Sequence, residues 1–318
     1  MMFDKFERAM SDEDIDNDNI DVACVGMLSP AEVYVVENMP DQNGGSAWKS
    51  RHDFLSEDAA IVATTLKYYG FNVAMVCNEL GDDVTGHNVM LEFNKLRIKN
   101  FLKHNSMIST PYEVVFSDSH GRRQYVWNRD ISVLSTLATA NTELIKKSEV
   151  VYADWYDWPY NAPALRSASE NNSLVFLNLE DKYSDEALID EIIGVSSIIQ
   201  IAQERDSNFK ETEVIARYLL HRGIAAVLVT NEDKACRYIT RDRSYSITPP
   251  TIKMVDANGA GAVFSAAFIS GIVNKWDVKK TFAMAVSAAS LKCQIAGPSK
   301  LSLDEIKETA QNLLCIEL

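Results

Sequence analysis

Short, almost wholly apolar runs recur through this chain, each separated from the next by a helical pattern, and that alternation limits the folds open to it. The runs fall at 21–26, 71–77, 150–153, 174–179, 197–201 and 225–229. Helical spacing fills 58–69, where Ala59, Val62, Ala63 and Leu66 share one face, and again 84–95, 185–193 and 210–221. A strand apolar on both faces must be covered on both, and strands joined through helices run parallel. The expectation is therefore an α/β three-layer sandwich with a mostly parallel central sheet. Residues 33–36 read as extended and 42–48 as a loop around Gly44-Gly45. The runs 112–116 and 123–127, joined at Ser119-His120-Gly121, read as a β-hairpin. From Gly259 onward the pattern is helical to the end, through 283–291 and 303–313.

The 318 residues, 47% hydrophobic, suffice for one large domain or two modest ones. Lys and Arg number 31 against 45 Asp and Glu, a formal charge of −14, which opposes general binding to nucleic acid or to an anionic membrane. A nucleotide site needs only local positive character and stays open. Cys24, Cys77, Cys236, Cys293 and Cys315 are scattered and odd in number, as expected of reduced core thiols in a cytoplasmic protein. No apolar run approaches the roughly 20 residues of a membrane span, and 1–10 has no apolar export-signal centre. Residues 1–20 read as an acidic, solvated leader ahead of one domain over 21–318. The leader's Asp12, Asp14, Asp16 and Asp18 lack the Gly and Glu that a calcium loop of that spacing requires. The five histidines show no metal spacing and read as surface residues.

One stretch carries specific chemistry: Asp256-Ala257-Asn258-Gly259-Ala260-Gly261-Ala262, followed by the small, apolar run 263–268. A turn that opens into a helix presents unpaired N–H groups and the positive end of the helix dipole, an anion site. A dinucleotide loop would need a third glycine where Phe264 stands, and no Gly-Lys-Ser/Thr exists for a Walker loop.

The stretch resembles the Asp-Thr-x-Gly-Ala-Gly-Asp signature of the ribokinase-like (PfkB) family of sugar and nucleoside kinases. Further features follow in the family's order: Gly81-Asp82-Asp83-Val84-Thr85-Gly86, Gly121-Arg122-Arg123 on the hairpin, Leu228-Val229-Thr230-Asn231 closing a strand, and 287–292 before Gly297-Pro298. The resemblance implies a ribokinase-like fold with a small β lid near 31–50 and 110–130. It implies ATP and Mg2+ as cofactors, and transfer of a phosphoryl group to a hydroxyl of a sugar, polyol or nucleoside-like acceptor. Gly259, Ala260 and Gly261 would hold the phosphate. Thr230, Asn231, Lys234, Asn258 and Gly261 would bind nucleotide. Glu32, Asp58, Arg123, Trp155 and Asp256 would meet the acceptor, and Gln203 and Asp206 the metal. The lid strands would cover the acceptor or pair with a second copy in a homodimer.

The departures are as specific. The family's catalytic base, the last Asp of the signature, is Ala262 here, either a native loss or an engineered Asp→Ala. Ser56-Glu57-Asp58 stands where the family has a Gly-Gly pair, and Glu232 and Ala235 replace glycines of the nucleotide loop. Arg123 also reads as a solvated surface residue, and the aromatic loop 154–160 as core packing or a dimer contact. Two other functions remain open. One is a catalytically silent nucleotide-binding regulator; the other is a nucleoside hydrolase using the acids near Asp154.

Overall fold

The computed structural model describes residues 19–118, 120, 122–203 and 209–318; most of the acidic leader, Ser119 and Gly121 of the expected turn, and Asp206 lie outside them. The strands are β1 (Ile20–Val25), β2 (Ser29–Val36), β3 (Trp48–Ser56), β4 (Val73–Val76), β5 (Leu80–Gly81), β6 (Lys99–Asn100), β7 (His104–Asn105), β8 (Tyr112–Ser117), β9 (Arg123–Asn128), β10 (Ser148–Asp154), β11 (Leu174–Glu180), β12 (Ile198–Ala202), β13 (Ala226–Thr230), β14 (Cys236–Ile239), β15 (Ser244–Ile247) and β16 (Ile316–Glu317). The helices are α1 (Asp58–Tyr68), α2 (Val84–Leu96), α3 (Ile131–Leu137), α4 (Ala162–Glu170), α5 (Glu186–Ile192), α6 (Phe209–His221), α7 (Ala260–Val273), α8 (Val278–Lys292) and α9 (Leu303–Ala310).

The main sheet has the order β16-β15-β14-β13-β12-β11-β10-β1-β4-β6. Pairing is parallel from β6 to β13 and antiparallel from there to β16. Alternate residues of one strand serve opposite faces. Val22 and Cys24 join the core built with α1, α7 and α8, while Ala23 and Val25 join the one built with α4, α5 and α6. The near-continuous apolar strands of the sequence are thus covered on both sides.

A second sheet, ordered β3-β2-β8-β9, forms the expected hairpin, with Tyr112 opposite Asn128 and Ser117 opposite Arg123. All six residues of β9 are exposed, Tyr125, Val126 and Trp127 among them.

One expectation needs correction, and one feature has no sequence signal. The chain does not stay helical to its end: α9 stops at Ala310, and Ile316–Glu317 pairs with β15. The hairpin of β14 and β15 was not anticipated, because its strands are only four residues each and half polar. It is held by packing, with Tyr238 stacked on both Tyr245 and Phe268.

The Gly81–Gly86 segment sets where α2 begins. Asp83 caps it, accepting hydrogen bonds from Gly86 N (2.7 Å), Thr110 N (2.9 Å) and Thr110 Oγ1 (2.8 Å). The helix start lies against β5 so closely that a Cβ on Gly86 would overlap the Gly81 carbonyl oxygen. Gly86→Ala is expected to lower stability by about 1–3 kcal/mol, the usual cost of overpacking. Urea denaturation monitored by circular dichroism measures it.

Candidate active site

The carboxyl ends of the parallel strands converge with the start of α7, the edge at which open α/β sheets bind ligands. The loop entering α7 is organised by Asp256, which is fully buried. Its Oδ1 accepts from Ser117 Oγ (2.8 Å) and Asn258 N (2.9 Å), and its Oδ2 from Lys292 Nζ (3.0 Å) and Gly297 N (3.1 Å). Lys292, also buried, donates further to Asp256 O at 3.1 Å. Four bonds occupy the carboxylate, so the expected contact of Asp256 with an acceptor is corrected. It positions the loop.

Gly259 caps α7 at φ 75°, a left-handed conformation that glycine adopts without strain. Val263 N donates to Gly259 O at 3.0 Å, the first bond of the helix ladder. The N–H groups of Gly261 and Ala262 therefore precede any intrahelical acceptor. A Cβ on Gly261 would meet only Gln200 Nε2 outside its own helix, at 3.9 Å, so this turn is not crowded by neighbouring elements. Gln200 on β12 supports the turn from below, with Nε2 at 3.5 Å from Gly261 O and Oε1 accepting from Ser265 Oγ at 2.8 Å. Sequence reasoning missed it, since one Gln in an apolar strand carries no motif. Ala262 is fully buried within the core face formed by α1, α7 and α8.

On one flank lies the end of β13. Gln203 N donates to Thr230 O at 2.8 Å, joining the ends of β12 and β13. Lys234 N donates to Asn231 O at 2.7 Å and closes the loop into a turn. Asn231 is buried, and its Oδ1 has no partner, an acceptor left for a ligand donor such as a nucleobase amine. Gln203, expected near magnesium, has Oε1 accepting from Thr212 Oγ1 at 3.3 Å.

On the other flank, acids gather under the lid. Asp58, the first residue of α1, accepts from Asn178 Nδ2 (3.1 Å) and Tyr156 OH (3.3 Å). Burial, followed by the charge of Glu180, pushes its carboxyl up to about 7. Asp154, bonded by Tyr152 OH at 2.7 Å, is raised well above the carboxylate range by burial and by Asp58. Burial also lifts Asp157, which accepts from Met27 N at 2.7 Å, to about 6. Arg123 loses hydration here, yet Tyr125, Glu180, Asp58 and Asp256 raise its pKa. Glu57 takes a φ of 72°, where an L side chain is strained, and is held by an ion pair with Arg129. This is the position at which the resembling family carries glycine.

Trp155 is placed differently from expectation. Its ring contacts Tyr156 at 5.0 Å between centroids and packs against the core face of α4–α6, and it is Tyr156 whose hydroxyl reaches Asp58. Glu32, on β2, is engaged by Tyr34, Tyr112 and Arg51. It lines a cavity of about 680 Å³ between the lid sheet, α1 and α2, which also reaches Asn258 and Gly259 but not Asp58, Arg123 or Thr230. Of the expected acceptor residues, the lining of this cavity takes in Glu32 and leaves out Asp58, Arg123, Trp155 and Asp256. Tyr125, absent from the sequence reading, donates to Asn258 Oδ1 at 3.3 Å and brings the lid onto the α7 loop.

The fold is that of a ribokinase-like α/β protein, and solved structures share the fold: a microbiome-derived acarbose kinase (TM-score 0.76, 18% identity, 92% of this chain and 100% of that one) and Arabidopsis thaliana ribokinase complexed with ribose and ATP (0.71, 16%, 91% and 99%). Among curated proteins, the nucleoside kinase of Methanocaldococcus jannaschii is 25% identical over 289 residues, covering 87% of this chain and 91% of its own length. The model of the pfkB family of carbohydrate kinases matches residues 58–305, and the chain belongs to that family. No helix among the described residues is long and apolar enough to cross a membrane.

Two outcomes follow. Lys292→Met strands the buried Asp256 carboxylate and is expected to cost about 3–5 kcal/mol in urea denaturation. The raised pKa of Asp58 means that the unfolded chain ionises first as pH rises. The native protein then loses stability from about pH 4 to about pH 7. Asp58→Asn should flatten that part of the stability profile, gaining most above pH 7, as measured by denaturant midpoints across pH.

Proposed function

We propose that this protein is built to place the γ-phosphate of ATP against a hydroxyl of a small sugar, polyol or nucleoside-like acceptor. The observation that carries the reading is the start of α7. Gly259 is left-handed there, the N–H groups of Gly261 and Ala262 lie ahead of the helix ladder, and Gly261 is exposed at the carboxyl edge of the sheet. Family membership supports it, as do the ribose and ATP complexed with the Arabidopsis ribokinase.

Phosphoryl transfer depends chiefly on positioning and charge stabilisation. Backbone donors at 260–262 would hold the transferring group. Thr230, Asn231 and Asn258 would flank the nucleotide, with the unpartnered Asn231 Oδ1 as an acceptor. Magnesium would arrive with the nucleotide phosphates, as it does where few protein carboxylates hold it. Asp58 and Arg123 would face the acceptor. In the transfer, the acceptor oxygen forms the new P–O bond, the bond to ADP breaks, and the hydroxyl proton needs a base. The position of that base in the family signature is Ala262, so the chain as sequenced is proposed to be slow.

A second reading rests on the same residue. Ala262 is buried with apolar neighbours, and a chain that lost its base while keeping Asp256, Lys292 and the helix start would serve as a nucleotide-binding regulator. Calorimetry with MgATP and an acceptor panel decides both points. Binding of ATP or ADP in the micromolar to millimolar range is expected; none at millimolar concentration overturns the nucleotide site. Ala262→Asp is expected to raise transfer at least about 10²-fold on the right acceptor, with ATP affinity little changed, the usual worth of a general base. A variant that binds both ligands and still transfers nothing favours the regulator.

A further inference from the structure

The Gly81–Gly86 segment does more than start α2. It carries Asp82, and His87 follows in the first turn of the helix, while β7 runs parallel to β5 and carries His104. The close approach of Gly86 to Gly81 brings the helix turn down on this short sheet. The two rings then meet edge-on, at 90° and 4.3 Å between centroids, with His87 Nδ1 at 3.0 Å from His104 Nε2. His87 Nε2 lies 3.5 Å from Asp82 Oδ1. One ligand atom from each of the three residues lies within 4.8 Å of the other two.

The hydrogen-bond inventory of this cluster is unusual. His104 Nδ1 lies 3.1 Å from Gly81 O, an acceptor only, so Nδ1 carries the hydrogen and Nε2 presents its lone pair. A carbonyl that fixes the far nitrogen in this way is the habitual second partner of a metal-binding histidine. His87 faces that lone pair with one nitrogen and a carboxylate with the other. A neutral ring has one N–H and cannot serve both, so the cluster calls for a positive charge between its members.

We propose that Asp82, His87 and His104 form a site for a borderline divalent transition metal, Zn2+ being the probe of choice, with water completing the coordination. Two imidazoles and a carboxylate suit zinc, and an open fourth position is common in such sets. Zn–N bonds of about 2.0–2.1 Å in a tetrahedral site require the ligating nitrogens to stand about 3.4 Å apart, so His87 Nδ1 and His104 Nε2 open by a few tenths of an ångström and the Asp82 carboxylate turns from His87 Nε2 toward the ion. Asp82 and His87 are exposed, which leaves a path for the ion. The ion would pin the start of α2 to β7. Because Thr85, Asn88 and Glu92 of α2 line the 680 Å³ cavity, the clamp would stiffen one wall of it. The site is independent of the phosphoryl-transfer reading.

The test uses the full chain, with zinc binding compared between the wild-type protein and its histidine variants so that binding to the thiols is common to all. Calorimetry with ZnCl2 is expected to give one site of micromolar affinity, and Zn2+ should raise the melting temperature. His87→Gln and His104→Gln, which keep a polar group without a strong ligand, should each weaken binding at least about tenfold, no less than losing an outer-shell partner, and abolish the thermal shift. Co2+ substitution should give visible absorption bands that the double variant lacks. Absence of binding at millimolar Zn2+, or unchanged affinity in both folded single variants, overturns the proposal.

Discussion

The buried contact of Lys292 with Asp256 is the joint on which the candidate site depends. A carboxylate and an ammonium taken out of water are each costly, and together they are tolerable only when nearly every lone pair and proton is used. Here Asp256 also binds Ser117 at the end of β8, Asn258 before α7 and Gly297 after α8. One side chain thus ties the lid sheet, the turn into α7 and the loop beyond α8 to a single point. The turn that leads into Gly261 and Ala262 is held by it.

Around that joint the chemistry is divided. The β13 side offers backbone groups and an unpartnered amide oxygen, suited to a polar, uncharged ring. The α1 side offers carboxyls whose pKa values burial has raised, beside the guanidinium of Arg123. Partly protonated acids both donate and accept hydrogen bonds, which suits hydroxyls better than fixed charges do. The lid residue Tyr125 touches Asn258 at the boundary, so the two sides share a cover. Glu57 shows a local rule broken at this place, with a charged side chain held in a glycine-like conformation by its bond to Arg129.

Much of the architecture was legible in the amino-acid sequence. Apolar strands spaced by helices specify a parallel sheet covered on both faces, since the period of each segment and its burial have one joint solution. The Asp256–Ala262 run marked a helix start with unladdered donors, because turn residues, glycines and a small apolar run are local signals. Weak local signals failed. The four-residue strands β14 and β15 are half polar and stand by ring stacking. Gln200 lies in an apolar run, and its role appears only where α7 crosses β12.

What the sequence determined by itself was local: which segments are apolar, where α7 begins, and that position 262 lacks a carboxylate. What only the tertiary structure decided was meeting and exclusion. It turned Asp256 inward to Lys292, thirty-six residues away, packed Trp155 against the core face of α4–α6, and put Glu32 but not Asp58 on the lining of the cavity under the lid. It also brought His87 and His104, seventeen positions apart, to ring contact, although their spacing shows no metal pattern. The physical reason is common to these cases. Spacing along a chain governs contacts within one helix or strand, whereas contacts between elements depend on how closely backbones approach, as Gly86 does to Gly81, and on which polar groups burial leaves in need of a partner.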